Sequence, residues 1–494
     1  MPEQMIFAPA LLPLAGMVVT LLLRNQRRIQ KWTSLAVMVL SFGVSIWITV
    51  EVMSTQTAIV AASGGWQPPF GIVFVADPLS VFMTLMVQGV LVLGVVYAMG
   101  AKDSVVTYPT FYPLFLALAS GLTGTMLTGD LFNLFVFTEL LVIAGTVLTA
   151  ISDDRYGTEA ALKYFYISLI ASILLLIAIG AIYISYGTLN MADIAQRVAA
   201  NPDAPLLRPA VALLLAVFMI KSAVFPFHFW QPDFHTAAPT PVSAMLSSVV
   251  VKMGVYGFLR MTTLLFVPVA GMIQAILLVL GIVGVVLGGL SALGTHNVKR
   301  MLAYSTLAQV GFILVGIGWG TPFSHAAALV FAFNHSLIKA AMLMLSGAVA
   351  SRAHIKSASF DIVTGVGKHM PVAGALFFLG GLALAGIPPT SGFISKLLIF
   401  QSGAAVDRWL ALVLLALGGL LTLIYTNRAF QRIWWLKRED DAKPKPYGDR
   451  LIAPAVLIAL VLIFGLWADP LVNFALQVGD WLQTPAAYVS AVFG

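Results

Sequence analysis

Cysteine is absent from the sequence. Its absence excludes disulfides, thiolate-held iron–sulfur clusters and c-type haem attachment, so no cofactor is expected and electron transfer would belong to another chain. Charge is scarce: 10% of the 494 residues are charged and 60% are hydrophobic, too apolar for a soluble protein and in keeping with a polytopic membrane protein. The seven histidines lack the carboxylate company of a metal site, and no metal is expected. The opening MPEQ lacks a basic n-region, so the first apolar run is expected to remain as a span. The net charge of +7 reads as membrane orientation rather than nucleic-acid binding. Nothing resembles a soluble catalytic domain. The chain reads as one membrane domain over residues 1–494.

What is abundant is apolar runs of about twenty residues, the length that crosses a bilayer as a helix. They recur near 5–23, 32–53, 78–100, 110–128, 130–150, 162–186, 208–230 and 243–265. They continue near 270–292, 299–318, 321–350, 371–400, 409–430 and 451–473. The expected fold is therefore all-α with about 14 transmembrane helices, of which the seventh and twelfth are broken at Pro226 and at Pro388. MADIAQRVAA in the 187–207 connection reads as a surface helix. With RNQRRIQK placed on the cytoplasmic side, cytoplasmic loops and helix ends hold 19 Lys/Arg. The opposite side holds four: Arg197, Arg208, Arg260 and Arg408. Such a bias puts both termini outside. The count includes Lys356 and a basic cytoplasmic loop at 433–450.

The remaining four lysines, Lys221, Lys252, Lys339 and Lys396, fall inside spans, and only one carboxylate, Glu139, sits well within one. Glu139 lies nine residues beyond Asp130, about 14 Å along a helix and near mid-bilayer. It is either a neutral buried acid or a partner for a buried lysine, and a lone buried charge is expensive unless paired. Lys221 precedes the Pro226 break, and a buried lysine beside a carboxylate, balanced between desolvation and attraction, can exchange protons near neutral pH. His228 is seven residues on, on the same stripe if the break does not rotate it away. Lys252 has Ser248 one turn before it, and His335 and Lys339 are i,i+4 neighbours. Lys396 follows GIPPTSGFISK, with Ser391 and Ser395 nearby; snorkelling is the competing reading for this lysine. Five centred ionisable groups at ~3 kcal/mol each cost roughly 15 kcal/mol before pairing, which points to an ion path. Two broken, lysine-bearing spans of opposite direction suggest an inverted repeat of helices 4–8 (residues 110–265) and 9–13 (residues 270–430).

KSAVFPFHFWQPDFHTAAPTPVSA, VVKMGVYGFLR and NVKRMLAYSTLAQVGF resemble the antiporter-like proton-translocating subunits of complex I, membrane-bound hydrogenases and Mrp-type antiporters. The resemblance runs from about residue 70 to 430. Within the family, GGWQPPFGIVFVAD and TGDLFNLFVFTELL look most like the D-type subunits of Mrp-type Na+/H+ antiporters. FPFHFWQPDFHTAAPTPVSA looks more like the complex I and hydrogenase members, so a proton-pumping subunit of a redox-driven complex is the alternative. The resemblance implies a hydrated proton path through Glu139, Lys221, Lys252, the His335/Lys339 pair and Lys396. It implies other membrane subunits as partners and a multi-pass location in a prokaryotic cell (inner) membrane. Four buried lysines and one glutamate would repel a metal cation, so any sodium route is expected mainly in a partner chain or at an interface with one.

Overall fold

In a hydrocarbon layer every backbone N–H and C=O must be satisfied within the protein, and the apolar runs accordingly fold as helices. The computed structural model describes residues 3–151, 154–355, 357–437 and 444–494; Lys356 and residues 438–443 of the basic loop lie outside these. The chain begins with α1 (Ala8–Leu22) and α2 (Arg27–Thr55). Two short strands, β1 (Ile59–Ala62) and β2 (Val73–Ala76), pair antiparallel with Ile59 opposite Ala76. Then come α3 (Pro78–Gly100), α4 (Phe111–Leu127), α5 (Leu131–Ala150), α6 (Arg155–Tyr186) and a short α7 (Met191–Ala200) that covers the 187–207 connection.

The next run is α8 (Leu207–Lys221), α9 (Trp230–Ala237), α10 (Thr240–Met245) and α11 (Lys252–Arg260). A π-helical turn at Leu246–Val250 joins α10 to α11, and a second at Met261–Leu265 extends α11. There follow α12 (Ala270–Leu293), α13 (Val298–Gly318), α14 (Pro322–Arg352), the one-turn α15 (Phe360–Val363), α16 (Pro371–Ala385) and α17 (Ser391–Ala404). The chain closes with α18 (Trp409–Phe430), α19 (Ile452–Leu466), α20 (Asp469–Trp481) and α21 (Pro485–Phe493). A π-helical turn at Gln431–Trp435 prolongs α18, so the basic loop starts nearer residue 436 than 433.

Among the described residues ten helices are long and apolar enough to cross a membrane, or eleven if α19 and α20, bent by 78°, count as one span. The shortfall from fourteen has local causes. Helix α4 has 17 residues. The 208–230 and 371–400 runs are divided into short pieces, because α8 stops at Lys221 and α16 stops at Ala385. The break in the first run therefore begins before Pro226, and Lys221 and His228 do not share a continuous helical stripe.

The connections gather on two faces. On one, Phe74 bridges to Thr128 and Asp130 to Asn190, with the Phe7 ring against Phe74. Here Asp77 caps α3 and pairs with Arg260 through two hydrogen bonds, 2.8 and 2.5 Å. Trp481 donates to the same carboxylate at 3.2 Å, and the Arg260 guanidinium lies over the Tyr256 and Tyr488 rings. Burial raises the Asp77 pKa, but Arg260 outweighs it and holds the carboxyl below the usual range. Arg260, counted from sequence among the loop cations of this side, is thus a buried clamp. The other face carries the basic connections: Gln30 donates to the Pro109 carbonyl, Val298 N–H to Ala358, and Lys445 N–H to Arg352.

Helix α14 runs through the middle, almost wholly buried, against α10, α13, α16, α17, α19 and α20. The rod from Thr240 to Leu265 is buried throughout its apolar window. Gly254 lets it approach α8: a Cβ there would stand 1.9 Å from Ser222 Oγ and 2.5 Å from the Phe218 carbonyl oxygen. That contact sets α8, which ends at Lys221, against α11, which begins at Lys252.

Candidate proton path

Glu139 projects from α5 toward α6, where the Ser172 hydroxyl donates to its carboxylate. It is only partly buried. Helix α6 packs against both α5 and α8, which ends at Lys221. Lys221 is buried, its ammonium makes no hydrogen bond to protein, and Glu139 is the charge whose field reaches it. No ion pair joins the two among the described residues. The expected Glu–Lys partnership is therefore electrostatic at a distance rather than a contact.

Lys252 begins α11 just after the π-helical turn, a backbone irregularity common at functional sites. Its Nζ lies 2.5 Å from His335 Nδ1, and both residues are buried. The Ser248 hydroxyl is committed to the Ala244 carbonyl at 2.6 Å rather than to Lys252. The Ser248 carbonyl in turn accepts from Ser336 at 2.9 Å. Lys339, one turn beyond His335, is fully buried and donates to the Leu302 carbonyl at 3.0 Å and Ser305 Oγ at 2.8 Å. Tyr425 donates to the same Ser305 oxygen at 2.8 Å. His335 and Lys339 thus share α14 but turn to different helices, the first to α11 and the second to α13.

Beyond His335 lies a cavity of about 10 Å3, lined by Gln309, Asn334, His335, Ser395 and Lys396 among others. That size is near the threshold for one water. Asn334 donates to Ser395 Oγ at 2.7 Å and to the Ser391 carbonyl at 3.1 Å, tying α14 to the start of α17. Lys396 donates to the Ala385 carbonyl at 2.8 Å, the last residue of α16, and its Nζ stands 5.1 Å from the centre of the Phe312 ring. Gly386, at φ 85°, leaves room for this side chain; a Cβ there would be 2.5 Å from Lys396 Cδ. His228 is half-buried against the Phe225 ring.

Sequence reasoning missed Ser172, Ser305, Gln309, Asn334 and Tyr425. Some were legible: Ser305 and Gln309 stand i,i+4 in YSTLAQVGF, and Asn334 adjoins His335 in FNHSLIKA. Ser172 and Tyr425 lie in ordinary apolar runs and carry no such signal. Among the described residues no cluster of His, Asp and Glu could hold a metal ion.

The sequence model for the transmembrane part of NADH:quinone oxidoreductases and Mrp antiporters matches residues 128–422, over half of the chain. The chain belongs to this family. Among its relatives, the D subunit of the Na(+)/H(+) antiporter of Alkalihalophilus pseudofirmus is 31% identical over 492 residues, 99% of each chain. A chain of the Mrp complex from Dietzia sp. DQ12-45-1b superposes with a TM-score of 0.91 at 24% identity, covering 100% of this chain and 99% of that one, a likeness of fold. A chain of the membrane-bound sulfane sulfur reductase, an archaeal respiratory membrane complex, also reaches 0.91, at 30% identity over 99% of this chain and 100% of that one. In this member of the oxidoreductase/antiporter family, the buried lysines and Glu139 all fall within the matched segment.

Proposed function

We propose that this chain is the proton-conducting D-type subunit of a multisubunit Mrp-type Na+/H+ antiporter. The observation that carries the reading is the fully buried contact between Lys252 and His335, with Lys339 one turn away. Two cationic groups cannot both stay charged at 2.5 Å in a low-dielectric interior, so this pair holds at most one extra proton. An imidazole that accepts at Nε2 and releases at Nδ1 passes a proton to a neutral Lys252 without moving a heavy atom. Lys221 and Glu139 continue the line on one side. Lys339, the water-sized cavity, Ser395 and Lys396 continue it on the other. The line contains four lysines and one carboxylate, and a sodium ion favours several oxygen ligands. Protons alone suit it, so sodium passes mainly through a partner chain or at an interface with one.

The same reading includes fourteen crossings with both termini outside, in a prokaryotic cell membrane. The grouping of connections on two faces supports it, as does the distribution of Lys/Arg, 19 to three once the buried Arg260 is set aside. It also includes an inverted repeat of residues 110–265 and 270–430, supported by the two broken helices at Lys221 and Ala385. A second reading, a pumping subunit of a redox-driven complex, is supported by the likeness to the archaeal respiratory complex. Co-purification separates the two, because only the second requires iron–sulfur partners. The test of conduction is Lys252→Met in the assembled complex reconstituted in vesicles. Proton-coupled exchange should be lost with assembly intact, and retained exchange would refute the reading.

A further inference from the structure

On the basic face, the α3–α4 connection, the start of α6, the α9–α10 corner, α13 and α14 enclose a cavity of about 490 Å3 that the line above does not use. One wall carries Asp449, from the stretch that precedes α19. Its carboxylate is buried and held by two donors, the Tyr97 hydroxyl at 2.6 Å and the Lys102 backbone N–H at 2.8 Å. Thr240 lines the same cavity beside the Tyr97 hydroxyl. Ser243 stands one turn further along α10, with its Oγ 3.1 Å from His235 Nδ1. His235 is fully buried, its Nε2 has no protein partner, and the charges of Lys339 and Lys299 reach it. Asp449, Tyr97 and Thr240 are thus linked at the cavity wall, Ser243 pairs with His235 one turn further along, and the charge of Lys339 reaches that imidazole.

We propose that this cavity is the site of proton uptake from the basic-face solution, with Asp449 as the collecting carboxylate and Tyr97, Thr240, Ser243 and His235 as the relay to Lys339. The inference rests on the proton-conduction reading. A carboxylate at the base of a polar funnel suits the role because it gathers protons that are scarce in solution and presents them to a hydroxyl already hydrogen-bonded to it. Burial pushes the Asp449 carboxyl up, against the Lys102 N–H and the Tyr97 hydroxyl; Asp103 adds to the rise and Lys299 opposes it. Asp154 and Lys445 also line the cavity, and Arg352 packs behind Asp449 against Gly448. The competing role is a pin that holds residues 444–450 to α3, and it predicts no link to pH.

The test is Asp449→Asn in the whole complex in vesicles, with exchange measured against pH on the basic face and on the opposite face separately. The proton concentration giving half-maximal rate on the basic face should rise about tenfold, the lower end of what local focusing of charge supplies. The loss should shrink as that solution is acidified, Asp449→Glu should restore the profile, and opposite-face pH should be without effect. A profile identical to the parent, or a loss equal at every pH, would overturn the assignment. If Asp449→Asn does not assemble, Asp449→Ser, a smaller neutral side chain, removes the same carboxylate and is read in the same way. Failure of Lys252→Met to stop exchange would remove the conduction reading and this one together. Loss of exchange in Lys252→Met with an unmoved Asp449→Asn profile would remove the uptake site alone.

Discussion

Lys221 and Lys396 stand at the two helix breaks, and their charges are balanced by different means. Lys221 closes α8, makes no hydrogen bond to protein and faces the field of a carboxylate on α5. Lys396 follows its break and donates to the carbonyl that ends α16, where the helix dipole concentrates partial negative charge. The first site therefore has its counter-charge on a side chain of a neighbouring helix, and the second has it on the backbone. The lysines also differ in register, one before its break and one after, so the proposed inverted repeat does not make the two sites equivalent.

The largest expected effect comes from removing the side-chain counter-charge. Glu139→Ala leaves Lys221 without its attractor, and proton-coupled exchange should fall about 100-fold or more, the range for losing a positioned proton-transfer group. Vesicle assays on the assembled complex measure this, and full exchange in an assembled variant would take Glu139 off the path. Gly386→Ala attacks the other site by geometry. A non-glycine residue in the left-handed region costs about 1–2 kcal/mol, and its Cβ would collide with Lys396 Cδ. Exchange should drop by about tenfold, a smaller loss than for Glu139→Ala, because displacing a group by a fraction of an ångström costs less than deleting it. A thermal-melting comparison separates that loss from instability. Smallest are Pro226→Ala and Pro388→Ala, which should slow exchange severalfold with the melting temperature retained. Unchanged rates in both variants would make the breaks packing features only.

Most of this comparison was legible in sequence. The four lysines and Glu139 stood out because charge inside an apolar run is costly, and the prolines marked both breaks. The partners were not legible, because they come from helices distant in sequence. His335 pairs with Lys252 across 83 residues, and Arg260 with Asp77 across 183. His228 was placed by extending α8 past the point where it ends, and Ser248 by spacing that ignored its bond to Ala244. The hairpin of β1 and β2 was not foreseen, since four-residue strands leave little pattern between two membrane helices.

The central claim is that the lysine line carries protons and not sodium. The direct measurement is proton flux and equilibrium sodium binding on the same assembled complex carrying Lys396→Ala. The account predicts that proton coupling fails while sodium binding persists. Loss of sodium binding with proton movement intact would contradict it.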